Sequence, residues 1–214
     1  MTPKAETQPR RQRLTPEVRR RQIIAAAGEM ILKQGHLPLA LDRLAQSAGV
    51  SKALLYTYFP TQQQLFDAVV RQEFEALRAR GLDAAVAADE LFDAALACAR
   101  IYYAHVAETG PLIHIILRDA FMARGLSAEA SAFRSRIVRR LAGLARRSLR
   151  LQAKENVALL NLLITIPEEA GRLAYEGQLT FDRGLLLCEE LVASSLEAFR
   201  PQRNGLRAKP APAS

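Results

Sequence analysis

Residues 51–59 read SKALLYTYF, and they hold the side chains best suited to acting on another molecule. Tyr56, Tyr58 and Phe59 are three of only 13 aromatic residues (8 Phe and 5 Tyr) in a chain of 214. Neighbours in sequence point in different directions on a helix, so Tyr56, Thr57 and Tyr58 do not share one buried face. Together with Ser51, Lys52 and Ala53 they offer an ammonium group, hydroxyls and apolar surface. That is the chemistry of nucleic-acid contact. Hydroxyl and ammonium groups reach phosphate oxygens, while small and apolar side chains meet base edges. The plain alternative is a structural helical hairpin with a solvated Lys52 and partly buried tyrosines.

The composition narrows the partners. A formal net charge of +8 and a pI of about 10.0 suit a polyanion, nucleic acid before membrane. The longest apolar stretch, residues 159–167, is too short to span a bilayer. Bond-making motifs are missing: there is no ExxH pair, phosphate loop, GxSxG or HExxH. His105 and His114 have no third ligand spaced to complete a metal site. Cys98 and Cys188 form neither a CxxC nor a disulfide framework and fit a reducing cytoplasm. The expectation is a cytoplasmic protein that is not an enzyme, without cofactor or metal.

The elements that must position residues 51–59 read as helices throughout, rich in Ala, Leu, Arg and Glu. Thr15 caps a first helix with Pro16 at its first position, and Gly35 ends it. A short helix over 41–48 closes at Gly49. Ser51 caps a third helix that stops before Pro60, and Thr61 caps a fourth. Longer helical segments follow over 89–108, 111–124, 127–150, 153–176 and 181–199, with Pro167 kinking the fourth of these. The chain divides into a disordered basic arm (1–13), a helix-turn-helix unit (14–60), a connecting helix (61–80), a larger helical domain (81–199) and a disordered tail (200–214).

Two short helices joined by a tight glycine turn make a helix-turn-helix, with Leu44, Ala45, Val50 and Leu55 as its inner contacts. The stretches IIAAAGEMILKQG, LDRLAQSAGVSKALLYTYF and PTQQQLFDAVV resemble the DNA-binding domain of the TetR family of bacterial transcriptional regulators over about residues 18–75. The resemblance implies an all-α fold, a three-helix DNA-binding domain before a larger ligand-binding and dimerisation domain. It implies a homodimer that binds a double-stranded DNA operator, usually as a repressor. By position, Ser51, Lys52, Ala53, Tyr56, Thr57 and Tyr58 correspond to residues that meet DNA. Leu39, Ala40 and Leu41 stand where the family usually caps the second helix with Thr or Ser. Gln62 stands where a lysine is common, and Leu54 where a small polar residue is frequent. Arg10, Arg11 and Arg13 are placed to compensate from the adjacent minor groove.

The larger domain is read from its residues alone. Tyr102, Tyr103, Ile116, Leu117, Phe121 and Leu163 supply apolar walls, and His114, Asn161 and Glu168 supply polar groups, for a small, mostly apolar effector. The same residues also read as ordinary core with satisfied polar groups. A basic run, residues 124–154, carries nine Lys or Arg against Glu129 alone and reads as a solvated face. Leu185, Cys188, Val192, Ser195, Leu196 and Phe199 form a stripe expected to pair two copies in a four-helix interface, or to cover their own core. The leading expectation is a ligand-responsive DNA-binding regulator. The alternatives are a helical adaptor and an enzyme without a recognisable catalytic motif.

Overall fold

The computed structural model describes residues 15–122 and 125–201, and every regular element among them is helical. Helix α1 (Pro16–Gln34) starts where the Thr15 hydroxyl accepts a hydrogen bond from the Val18 amide and ends at Gly35. Its inward stripe, with Ile23, Ala27 and Ile31 fully buried, packs on α4 (Gln62–Ala79). Between them lie α2 (Leu41–Ser47) and α3 (Lys52–Tyr58). Gly49, at φ +63, takes the left-handed backbone the α2–α3 turn needs, and the Val50 amide donates to the Ala45 carbonyl at 2.9 Å. Leu44, Ala45 and Leu55 close the inside of the pair.

The remainder comprises α5 (Leu82–Ala87), α6 (Leu91–Thr109), α7 (Leu112–Arg118), a single 3-10 turn (Ala120–Met122), α8 (Ala128–Ser148), α9 (Ala153–Leu163), α10 (Thr165–Tyr175) and α11 (Phe181–Glu197). Helix α6 is the central post, with α5, α8, α10 and α11 around it. One apolar cluster joins α1, α4 and α7 to Tyr102 and Val106 of α6. A second gathers Leu91, Ala94 and Tyr103 of α6 with residues of α8, α9 and α11.

Three expectations need correction. Helix α5 is unforeseen, being too short to show a period, yet it buries Leu82, Ala85 and Val86. The helix expected over 111–124 stops at Arg118. There the Asp119 carboxylate accepts amide hydrogen bonds from Phe121 and Leu37, both at 2.9 Å. These two bonds, Phe121 first, hold its carboxyl below the usual range and tie the end of α7 to the loop before α2. The third correction concerns the stripe on α11. Cys188, Val192 and Leu196 are 0%, 2% and 0% exposed and face the chain's own core, so they are not an outward pairing surface. Leu185 and Ser195 are half-buried, and of that set only Phe199 is exposed. The kink at Pro167 is present. Proline has no N–H for the Leu163 carbonyl, and the helix divides into α9 and α10 at Ile164.

Candidate functional site

Helix α3 presents one face outward. Ser51, Lys52, Ala53, Leu54, Tyr56 and Thr57 are exposed, Tyr58 is half-buried and Phe59 is buried. The Ser51 hydroxyl accepts the Leu54 amide at 3.1 Å, so it serves as the cap that fixes where α3 begins. Thr57 donates its hydroxyl back to the Ala53 carbonyl at 3.1 Å and keeps its acceptor lone pairs outward. Lys52 lies 3.0 Å from Asp42 on α2, but both groups are exposed, and such a pair holds its partners weakly. An incoming phosphate can therefore compete for the ammonium group. At 44% exposed, Tyr56 is the large aromatic of α3 aimed at solvent. Arg10, Arg11 and Arg13 lie outside the described residues.

The weak points foreseen at the start of α2 have a structural answer. Ala40 makes no side-chain cap. Gln62, at the start of α4, accepts the Leu39 amide on its side-chain oxygen at 2.9 Å. A lysine there could not accept that bond, so Gln62 joins α4 to the entrance of α2. That role had no signal in the local pattern, because the two residues are brought together only by the fold.

An apolar cavity of about 180 Å³ lies among α4, α6, α7, α8 and α9. Of the residues expected to hold an effector, Tyr102, Leu117, Asn161 and Leu163 line it. Phe74, Leu77, Phe133 and Val192 also line it, and Phe74 and Leu77 come from α4, outside the larger domain (81–199) in which the sequence places the effector. The other expected residues are elsewhere. Tyr103 turns toward α11, donating its hydroxyl to the Phe181 carbonyl at 2.6 Å, and a Cβ on Gly184 would fall within 3.0 Å of its ring. Ile116 is fully buried in the cluster of α1, α4 and α7. Phe121 packs edge-on against Phe66 with centroids 6.0 Å apart.

His114 and Glu168 pair with each other beside a separate surface cleft. Glu168 also accepts a hydrogen bond from the Tyr102 hydroxyl at 3.2 Å, so it links that cleft to the cavity wall. Burial, then the Glu168 charge, pushes the Tyr102 phenol well above its ordinary value and keeps it a hydrogen-bond donor. Burial likewise raises the Cys98 thiol on the cavity wall to about 11, which leaves it protonated and inert. His105 does not face the cavity and pairs instead with Glu73. Among the described residues no three His, Cys, Asp or Glu side chains gather as a metal site.

A helix-turn-helix unit continuous with a second helical bundle through α4 defines a two-part DNA-binding architecture. Residues 23–69 match the family model described as bacterial regulatory proteins, tetR family. Residues 23–69 thus carry the DNA-binding region of that family. The chain is 35% identical over 65 residues to the HTH-type transcriptional activator FasR of Mycolicibacterium smegmatis, 30% of each chain. It is 41% identical over 71 residues to the HTH-type transcriptional regulator BetI of Rhizobium meliloti, 33% of each chain. The match thus spans about a third of the length of these relatives.

Solved structures share the fold over most of the chain. A TetR-like transcriptional regulator from Rhodococcus sp. RHA1 superposes with a TM-score of 0.65 at 20% identity, covering 86% of this chain and 99% of that one. FadR from Bacillus subtilis in complex with stearoyl-CoA gives 0.62 at 13%, covering 82% and 98%. AibR in complex with isovaleryl coenzyme A and operator DNA gives 0.59 at 17%, covering 82% and 97%. No helix among the described residues is long and apolar enough to cross a membrane.

Proposed function

We propose that the chain is a dimeric, ligand-responsive transcriptional regulator. It acts by binding in the cytoplasm, with no catalytic step. Residues 14–60 hold double-stranded operator DNA, α4 within 61–80 transmits, and 81–199 takes the effector and pairs the two copies. The sense is repression, with release of the operator when a small, mostly apolar molecule fills the cavity.

One observation carries this reading. The cavity wall includes Phe74 and Leu77, which lie on α4, and the first residue of that same helix holds the Leu39 amide ahead of α2. A ligand that prefers one position of α4 therefore prefers one position of the recognition helix, which is what ligand control of DNA binding requires. Neighbours in fold have been solved with acyl thioesters of coenzyme A, which supports reading the small, mostly apolar occupant of the cavity as the acyl chain of a larger ligand.

Fluorescence anisotropy with the DNA flanking the chain's own gene, against random DNA of equal length, tests the reading. The expected result is selective, steeply salt-dependent binding that octanoyl-CoA or a comparable acyl compound reverses. Equal binding to both DNAs would favour the adaptor or enzyme alternatives.

A further inference from the structure

The apolar cavity shares a wall with a second, charged site. Phe74 and Phe133, with ring centroids 4.7 Å apart, line the cavity on one side and an open groove of about 950 Å³ on the other. The groove runs between α1, α4 and α8 and is lined by Arg20, Arg21, Arg71, Arg78, Arg136 and Arg139. Two of these stack on the groove side of Phe133, Arg78 at 4.9 Å and Arg136 at 5.4 Å from its centroid.

The arginines are not balanced by acids. Arg71 pairs with Glu129, Arg78 with Glu75 and Asp83, and Arg136 with Asp83. Six arginines against these three carboxylates leave the groove at +3. Arg20, Arg21 and Arg139 have no carboxylate partner among the described residues, and Arg20 instead lies over the Phe59 ring. A concave site with an excess of positive charge concentrates anions, and the guanidinium fork matches phosphate oxygens in pairs. A ligand for the groove alone would be any polyanion. The shared Phe74–Phe133 wall selects an amphiphile.

We propose that the groove is the headgroup site of the effector. The ligand carries a phosphate-bearing head, held by Arg20 and Arg21 from α1 and Arg139 from α8, and an apolar chain that passes beside Phe133 into the cavity. This rests on the effector reading above and adds the class of head and where it sits. At about 30 Å³ per water-sized group, 180 Å³ holds about six such groups, which sets a chain of medium length. A head that bridges α1 and α8 also ties the DNA-binding unit to the larger domain, so the head contributes to the switch as well as to affinity.

Isothermal titration calorimetry with octanoyl-CoA, octanoate and free coenzyme A tests this on the full chain. The variants are Arg21→Glu with Arg139→Glu, and Leu163→Trp. Both arginines are exposed, and a melting curve confirms that the double variant folds. The double reversal should weaken octanoyl-CoA binding at least tenfold and leave octanoate unchanged, while the lysine pair at the same positions recovers most of the loss. Unchanged octanoyl-CoA affinity in the double variant, with octanoate still bound, overturns the headgroup site alone. So does a double variant that loses operator affinity only, since the groove would then serve DNA. Failure of the parent to bind either acyl compound overturns the cavity reading and the headgroup site with it.

Discussion

The imidazole Nε2 of His105 lies 2.8 Å from the Glu73 carboxylate, and the two side chains are 1% and 8% exposed. They join α6, the central post of the larger domain, to α4, the helix that begins under the DNA-binding unit. The Thr109 hydroxyl also approaches this nitrogen, at 3.5 Å. A buried charge-capable pair contributes little net stability when whole and costs much when one partner is removed. The pair therefore fixes where α4 and α6 sit relative to one another, along the path from cavity to recognition helix.

Replacing His105 with Ala should destabilise the fold by about 3–5 kcal/mol, because it leaves the buried Glu73 carboxylate without its hydrogen-bonding imidazole. Adding Glu73→Gln to that variant should recover part of the loss, since the charge is then gone. Urea unfolding of the three proteins measures both effects. Equal stability of parent and His105→Ala would mean that the pair does not hold the two helices.

On α3, Lys52→Ala and Tyr56→Ala should each weaken operator binding by about 1–3 kcal/mol and leave the melting temperature near that of the parent. Both side chains are exposed, so their loss opens no cavity. Lys52→Ala should also lower the salt slope, because its contact is with phosphate. Unaltered affinity in both variants would remove α3 from the groove.

Pairing of two copies is expected through α9, α10 and α11, but through residues other than the α11 stripe read from the sequence. Leu162 is 66%, Ile164 51% and Leu191 53% exposed, a concentration of large apolar side chains on these helices. Leu162→Asp with Leu191→Asp should give a folded monomer by light scattering. Val192→Asp should unfold the chain instead, because it buries an unpaired charge in the chain's own core. A dimer that survives the first pair of changes would place the interface elsewhere.

The difference between these two sets shows what the sequence makes legible. An apolar period on a helix marks a buried face, and Cys188, Val192 and Leu196 are indeed buried. It does not say whether the cover is the same chain or a second copy, because the two environments demand the same residue types. Helix α3 is the more legible case. Its cap, its turn glycine and Pro60 are local signals, and Tyr56 stands out because no local partner explains it. The cavity is intermediate. Tyr102, Leu117, Asn161 and Leu163 fall in two apolar stretches of sequence on either side of the basic run, whereas Phe74, Phe133 and Val192 reach it only through the crossing of distant helices.

Two tryptophan substitutions separate an open cavity from a filled core. Ile116 is 0% exposed and packed among residues of α1 and α4, with no space beside it in the cavity. Ile116→Trp must push that cluster apart, at a cost of about 1–3 kcal/mol or more. Leu163 is also nearly buried, but its side chain borders the 180 Å³ cavity, so a larger ring there has room to enter. Leu163→Trp should keep a melting temperature near that of the parent. By occupying the space of the acyl chain it should abolish release of the operator by octanoyl-CoA, while operator binding itself persists. Thermal unfolding and anisotropy on the same two proteins read out both consequences. If Leu163→Trp loses as much stability as Ile116→Trp, the region is closed packing, Pro167 is only a bend, and an effector has no place between these helices.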